Sequence, residues 1–331
     1  MSEQRSTLHV LRADQFNRND LEHLCRLTDT IRQFDKSKDG LMYLQSLLPH
    51  RRAMLYFTQP STRTFLSFQS ACQILGMKPS EIRDSSTSSE LKGESIEDSL
   101  RTFSSYVDLI IMRTAMPGLC DRIAQLLDET DRPVPIINGG SGPDQHPTQA
   151  LLDIYTLNRS FRKSGGIDGK TIMMVGDLAR GRTVRSLSFL LSNFKNVRLL
   201  FSSPDQFKIR DDLRATLKSR GVIFEETAEF ETALPAADGI YMTRIQDEYD
   251  TQGESKNVDY SKYHLRYEHL NLLKSDAIIM HPLPRRKELD PRIDSDPRAK
   301  YWRQERNGMW TRVALITQVM GVDHHIVMPD L

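Results

Sequence analysis

In AMLYFTQPSTRTFLSFQSACQILG (Ala53–Gly76), an unbroken apolar run gives way to a hydroxyl-rich loop and then to apolar residues at helical spacing. Residues 53–57 show no polar alternation, the mark of a parallel strand covered on both faces. Phe65, Phe68, Cys72 and Leu75 then recur on one helical face until Gly76 stops the helix. The unit is strand, loop, helix. It recurs wherever a short apolar run stands between helical segments: VDLIIMR (107–113), VPIIN (134–138), TIMMVGD (171–177), VRLLF (197–201), GIYMTR (239–244) and DAIIMHPLP (276–284). Repetition of this unit predicts an α/β protein with parallel strands covered on both faces.

The chain has 331 residues, room for two ordinary domains. Before the first strand, Leu21, Leu24, Leu27, Ile31 and Phe34 mark a helix that Asn17 or Asn19 can cap. A helical segment from His146 to Asn158 followed by the polar RSFRKSGGIDGK reads as the bridge between halves. An amphipathic stretch from Met309 to Met320 closes the chain, and DEYDTQGESKNVDYSKY (247–263) reads as a mobile loop.

Acidic and basic residues nearly cancel to a formal charge of +1, so no global field argues for nucleic acid or an anionic membrane, and any anion must be bound locally. Cys25, Cys72 and Cys120 lack the spacing of a zinc site or disulfide framework, which suits a reducing, cytoplasmic setting. The polar N-terminus does not read as a signal peptide, and no apolar run is long enough for a membrane span. No metal site is expected.

The chemistry gathers where strands end. Helix-start amides have no intrahelical partners and a partial positive charge, so Ser61, Thr62, Arg63 and Thr64 suit a phosphate; equally, Ser61 could simply cap the helix with Arg63 solvated. DSSTSSELKGES (84–95), holding Ser88 and Lys92, reads by itself as a flexible turn. In NGGSGPDQHPTQALLD (138–153), His146 and Gln149 open a helix at a strand's carboxyl end, where open α/β sheets bind ligands. Arg182 at a helix start, and Arg244 with Gln246 just past a strand, suit carboxylates or surface ion pairs. HPLPR (281–285) is a proline-fixed segment, either a turn or a presenter of backbone carbonyls.

Taken in order, STRT, SELKGES, YVDLIIMRT with Arg113, QHPTQALLD, MVGDLARGRTV, YMTRIQ and HPLPR resemble the aspartate/ornithine carbamoyltransferase family over nearly the whole chain. The resemblance implies two doubly wound domains joined by interdomain helices. Residues 1–150 would bind carbamoyl phosphate, with a C-terminal helix at about 305–331 packing back onto them, and residues 151–304 would bind the amino acid. It implies a homotrimer with sites shared between subunits, Ser88 and Lys92 coming from the neighbour, and no cofactor; a regulatory chain is left open. By the same resemblance Ser61, Thr62, Arg63 and Thr64 hold the phosphate. Arg113, His146 and Thr64 polarise the carbonyl, and Gln149 with the carbonyls of Leu283 and Pro284 orients the carbamoyl nitrogen. Arg182, Arg244, Gln246, Ser88 and Lys92 bind the acceptor. The implied reaction carbamoylates L-aspartate to N-carbamoyl-L-aspartate in pyrimidine biosynthesis. Two separate cationic positions suit a dicarboxylate and would repel the ammonium of ornithine, and HPLP matches the aspartate branch where the ornithine branch shows HCLP.

Several positions leave the family pattern. STRTF-L-SFQ replaces the usual STRTR-x-SFE, exchanging an Arg and a Glu four apart for Phe65 and Gln69. Gln59 stands where related chains carry a Glu that helps hold the domains closed, and an amide binds guanidinium less strongly than a carboxylate. Ala179-Arg180 and the long loop 247–263 also differ. Two alternatives remain at this level: another acidic acceptor, or a catalytically weak homologue serving as a binding or assembly partner.

Overall fold

The structure, a computed structural model, describes residues 8–327 apart from 85–92, 143–144, 248–249, 251–252, 254 and 256–257. Ser88 and Lys92 thus lie outside the described residues. The chain divides into two compact units, Met1–Thr148 with Gly308–Leu331, and Gln149–Asn307.

The first unit runs α1 (Arg18–Phe34), α2 (Lys38–Gln45), β1 (Arg52–Phe57), α3 (Thr62–Ile74), β2 (Lys78–Ile82), α4 (Ile96–Ser104), β3 (Leu109–Thr114), α5 (Leu119–Asp128) and β4 (Ile136–Ser141). Asn17 caps α1, its side chain accepting from the amides of Asn19 and Asp20 at 2.8 and 3.2 Å. The parallel sheet has the order β2-β1-β3-β4. One of its faces buries Met54, Tyr56, Ile110, Met112 and Ile136 with Leu119, Ile123 and Leu127 of α5. Beyond β4, Val10 adds a parallel bridge, exchanging bonds of 2.8 Å with Ile136 and Asn138.

In α6 (Pro147–Phe161) the chain enters the second unit, which continues with β5 (Thr171–Val175), α7 (Arg182–Leu191), β6 (Arg198–Ser202), α8 (Asp211–Ser219), β7 (Ile223–Thr227), α9 (Phe230–Ala233), β8 (Gly239–Met242) and β9 (Ile278–Met280). The parallel order is β7-β6-β5-β8-β9. Met173, Val175, Ile240, Met242 and Ile279 pack here with Leu234, Leu265, Leu289 and Tyr301. The last long helix, α10 (Tyr301–Val319), begins well before the amphipathic stretch that announced it.

Strands β2 (KPSEI) and β7 (IFEET) carry no apolar run and escaped the sequence reading. Both are sheet edges. An edge strand has one neighbour and half-solvated faces, so nothing requires it to be apolar throughout, and its charges discourage further strand pairing. Of the loop expected to be mobile at 247–263, residues 248–249, 251–252, 254 and 256–257 lie outside the described residues; among the rest, Asp250 is bonded to Arg180, and Tyr260 and Tyr263 are buried. Their rings supply the anchoring that a count of aliphatics overlooks. All three cysteines are buried, and burial pushes the thiols of Cys72 and Cys120 up to about 12.

Phe65 uses its altered chemistry fully. Its ring is 3 % exposed, meets Phe57 of β1 edge-on at 5.4 Å between centroids, and carries the Arg83 guanidinium on its face at 4.4 Å. Phe65→Arg alone would press a second guanidinium against Arg83 inside an apolar contact. It is expected to cost about 3 kcal/mol or more, seen as a lower thermal midpoint, and adding Gln69→Glu is expected to recover part of the loss.

Candidate active site

In each sheet the winding direction reverses once. From β1 the chain adds β2 on one side and then β3 on the other; from β5 it adds β6 and β7 on one side, then β8 and β9 on the other. The two helices flanking such a reversal leave the sheet on opposite faces, opening a crevice at the strands' carboxyl ends. Of the predicted residues, Ser61 to Thr64 after β1, Arg113 on β3, Arg182 after β5 and Arg244 with Gln246 after β8 stand at these reversals, whereas His146 and Gln149 follow β4 and Leu283 and Pro284 follow β9.

In the first unit, Ser61 occupies the position before α3 with extended backbone, yet its side chain makes no capping bond to the helix. The simple capping alternative therefore does not hold. Thr64 is buried within the first turn, and Arg63 is exposed beside it. From the end of β3, Arg113 is 8 % exposed; its Nη1 donates to the Gly139 carbonyl at 3.0 Å and lies 3.4 Å from His146 Nε2. A guanidinium can only donate, so Nε2 accepts; the ring proton then belongs on Nδ1, 3.5 Å from Thr148 Oγ1. Gly140 makes this approach possible: at φ 120° a Cβ there would sit 2.6 Å from Arg113 Nη1 and 3.3 Å from the His146 ring. The backbone amide of Gln59 donates to the Arg113 carbonyl at 3.3 Å.

In the second unit, Arg182 begins α7 after β5, and Arg244 and Gln246 follow β8. Arg244 Nη1 donates to the Ile245 carbonyl at 2.8 Å. Asp177, fully buried between these segments, accepts from the Gln246 amide at 3.1 Å and from Arg180 Nε at 2.8 Å. Burial pushes its carboxyl up, against the opposing pull of Arg180 and the two amides. Gly176, at φ 115°, lets the end of β5 pass β8, since a Cβ would meet the Thr243 carbonyl oxygen at 2.2 Å.

Gln149 and the HPLP segment prove to be wired together. Gln149 Nε2 donates to Asp153 Oδ1 at 3.0 Å, and the same oxygen accepts Gln304 Nε2 at 2.7 Å, while Tyr241 OH donates to Oδ2 at 2.7 Å. Gln304 in turn accepts the His281 amide at 3.0 Å. His281 uses both ring nitrogens: Nδ1 accepts from the Leu283 amide at 2.7 Å, leaving the Nε2 proton for Glu288 at 2.9 Å. Burial would raise the Glu288 carboxyl, but bonds from His281 and the Arg286 amide outweigh it and hold it below its usual value. The peptide between Leu283 and Pro284 is cis, and Leu283 is held at φ 49°.

Asp153, Asp177, His281 and Glu288 were not singled out in the sequence. One signal was present: Asp153 lies four residues after Gln149, on the same face of α6.

Both halves of the chain match one family. Residues 8–159 match the aspartate/ornithine carbamoyltransferase carbamoyl-P binding domain, and residues 168–319 its Asp/Orn binding domain. Aspartate carbamoyltransferase 1, chloroplastic, of Pisum sativum is 39% identical over 313 residues, 93% of this chain and 77% of that protein. The aspartate carbamoyltransferase catalytic subunit of Thermococcus gammatolerans is 37% identical, covering 95% of this chain and 97% of that one. Among solved structures, aspartate transcarbamoylase from Trypanosoma cruzi in complex with carbamoyl phosphate and aspartate is similar with a TM-score of 0.84 at 32% identity, covering 94% of this chain and 96% of that one.

Burial without a cationic partner raises the Asp153 carboxyl from 3.8 to about 7, against its three donors. A folded-state value above the unfolded one favours the folded state at low pH: below about 4 both states are protonated, and as pH rises to about 7 the unfolded chain ionises first and stability falls, by about 4 kcal/mol in all. Asp153→Asn is expected to lack this slope, so urea midpoints of variant and parent should shift in the variant's favour between pH 4 and 7 and run parallel above it.

Proposed function

Since the chain belongs to the aspartate/ornithine carbamoyltransferase family, we propose that it transfers the carbamoyl group of carbamoyl phosphate to the amine of L-aspartate. The amine lone pair attacks the carbonyl carbon, the carbonyl electrons move to oxygen, and collapse of the oxyanion breaks the bond to phosphate. The amine proton is lost and N-carbamoyl-L-aspartate remains. Such a reaction must hold two anions together and stabilise charge where it develops, work suited to fixed donors rather than a bound cofactor.

Each residue set suits one part of this. At the start of α3, the amides with Ser61, Thr62, Thr64 and Arg63 bind the phosphate, and Arg63 neutralises it as it departs. Arg113, His146 and Thr64 donate to the carbonyl oxygen; on His146 the donor would be Nδ1–H unless the ring turns. Because Asp153 commits the Gln149 amide nitrogen, Gln149 offers its oxygen to the carbamoyl NH2, joined by the carbonyls of Leu283 and Pro284, whose segment His281 fixes. Arg182, Arg244 and Gln246 take the carboxylates of aspartate, and Ser88 and Lys92 complete that set from a neighbouring subunit of a homotrimer.

One observation carries this reading: the cations of each unit stand at that sheet's single reversal, where an open α/β sheet accepts ligands. The neighbour from Trypanosoma cruzi, crystallised with both substrates, supports the same assignment. Phosphate release across a panel of amine acceptors tests it. Turnover with L-aspartate well above that with ornithine or glutamate is expected, and none above background would sink the proposal.

Arg63→Ala is expected to lower kcat by two orders of magnitude or more, since it removes a donor present at the departing phosphate. If sites are shared, refolding a mixture of Arg63→Ala and Lys92→Ala chains should regain activity that neither variant has alone.

A further inference from the structure

Two departures from the family pattern, Arg180 in GDLARGRTV and the long segment after Gln246, remain without a part in the chemistry. They are each other's partners, although Arg180 and Asp250 are 70 positions apart. Every side of the Arg180 guanidinium is engaged. Nε donates to Asp177 Oδ2 at 2.8 Å, Nη1 to Asp250 Oδ1 at 2.5 Å and Nη2 to Ser255 Oγ at 3.1 Å. Its flat face lies over the Phe207 ring at 4.5 Å, and Phe207 packs on Tyr260 at 5.4 Å. Asp250 is closed from the other side by Ser255, whose hydroxyl donates at 2.6 Å and whose amide donates at 3.2 Å. The Arg180 side chain is only 12 % exposed. This is a built ion-pair cluster with bonds at all three guanidinium nitrogens, unlike a solvated surface pair.

The consequence follows from what is attached to each end. Arg180 sits two residues before Arg182, and its carbonyl accepts the Arg182 amide at 3.0 Å. Asp177, which holds Arg180, also holds the Gln246 amide, and Asp250 follows Gln246 by four residues. One guanidinium therefore ties the segment carrying Arg182 to the segment carrying Arg244 and Gln246. We propose that Arg180 is a positioning residue for the acceptor amino acid, setting Arg182, Arg244 and Gln246 in fixed register by fastening the segment through Asp250 and Ser255 to the turn after β5. This rests on the acceptor role given to those three residues above. A lysine could not reproduce the contact, having one point charge where the fork makes three separate bonds.

Arg180→Ala, Arg180→Lys and Asp250→Ala, each compared with the unaltered full-length protein, test this. Expected for Arg180→Ala is a rise of tenfold or more in the KM for L-aspartate with the KM for carbamoyl phosphate unchanged. Arg180→Lys should fall between, and Arg180→Ala with Asp250→Ala should be no worse than Arg180→Ala alone. Hydrogen exchange, which needs no turnover, should accelerate in peptides spanning 244–260. An unchanged aspartate KM overturns the positioning role. Equal damage to both substrates together with a lowered thermal midpoint overturns it in favour of a merely structural role, and unchanged exchange overturns the tie itself. Absence of aspartate turnover in the unaltered protein would instead remove the reading beneath the proposal, an outcome visible before any variant is made.

Discussion

A parallel sheet that changes winding direction must part its covering helices at one place, and this constraint governs both units. The gap opens at β1/β3 in one and at β5/β8 in the other. Strand ends and helix starts bring several polar and cationic groups to those gaps: the hydroxyls before and within α3, Arg113 from β3, Arg182 after β5, Arg244 and Gln246 after β8. With a net charge of only +1, the molecule has no long-range field to gather anions. Any affinity for them would have to be local, and the topology supplies a place for it.

Around those gaps the structure spends buried carboxylates. Asp153 and Asp177 are both withdrawn from water, which disfavours their charged forms. Each is compensated by several donors, and among those donors are Gln149 and the Gln246 amide, both in the proposed site. Asp153 turns the Gln149 amide and, through Gln304, meets the backbone of His281; Asp177 holds the Gln246 amide and Arg180. A carboxylate accepting in several fixed directions orients its neighbours in a way that a hydroxyl or an apolar contact cannot. In the proposed site, these acids would orient the groups assigned to the ligands without touching a ligand themselves.

The same physics explains what could be read from the residues in advance. Interior strands announced themselves because both faces are covered: TIMMV and LIIMRT have to be apolar throughout. KPSEI and IFEET, each with one neighbour, are under no such demand. Among the residues proposed for the site, Arg63, Arg113 and His146 stood out in the sequence because each lies at the end of an apolar run or just beyond it. Asp153 and His281 were not, because a residue that orients another is recognisable only by its partner, and Gln304 lies 151 positions from Asp153. Arg180 is similar. It was visible as a departure, and became meaningful only when Asp250 was found against it.

The three cysteines offer one last consequence. All three are buried, Cys25 at 5 % exposure, and burial pushes the Cys72 and Cys120 thiols well above their usual value. Since alkylating reagents attack the thiolate, Cys72 and Cys120 should react very slowly in the native protein, and burial limits access to Cys25. A single cysteine engineered onto an exposed helix would then take up a dye or spin probe selectively, without the parent residues first being replaced.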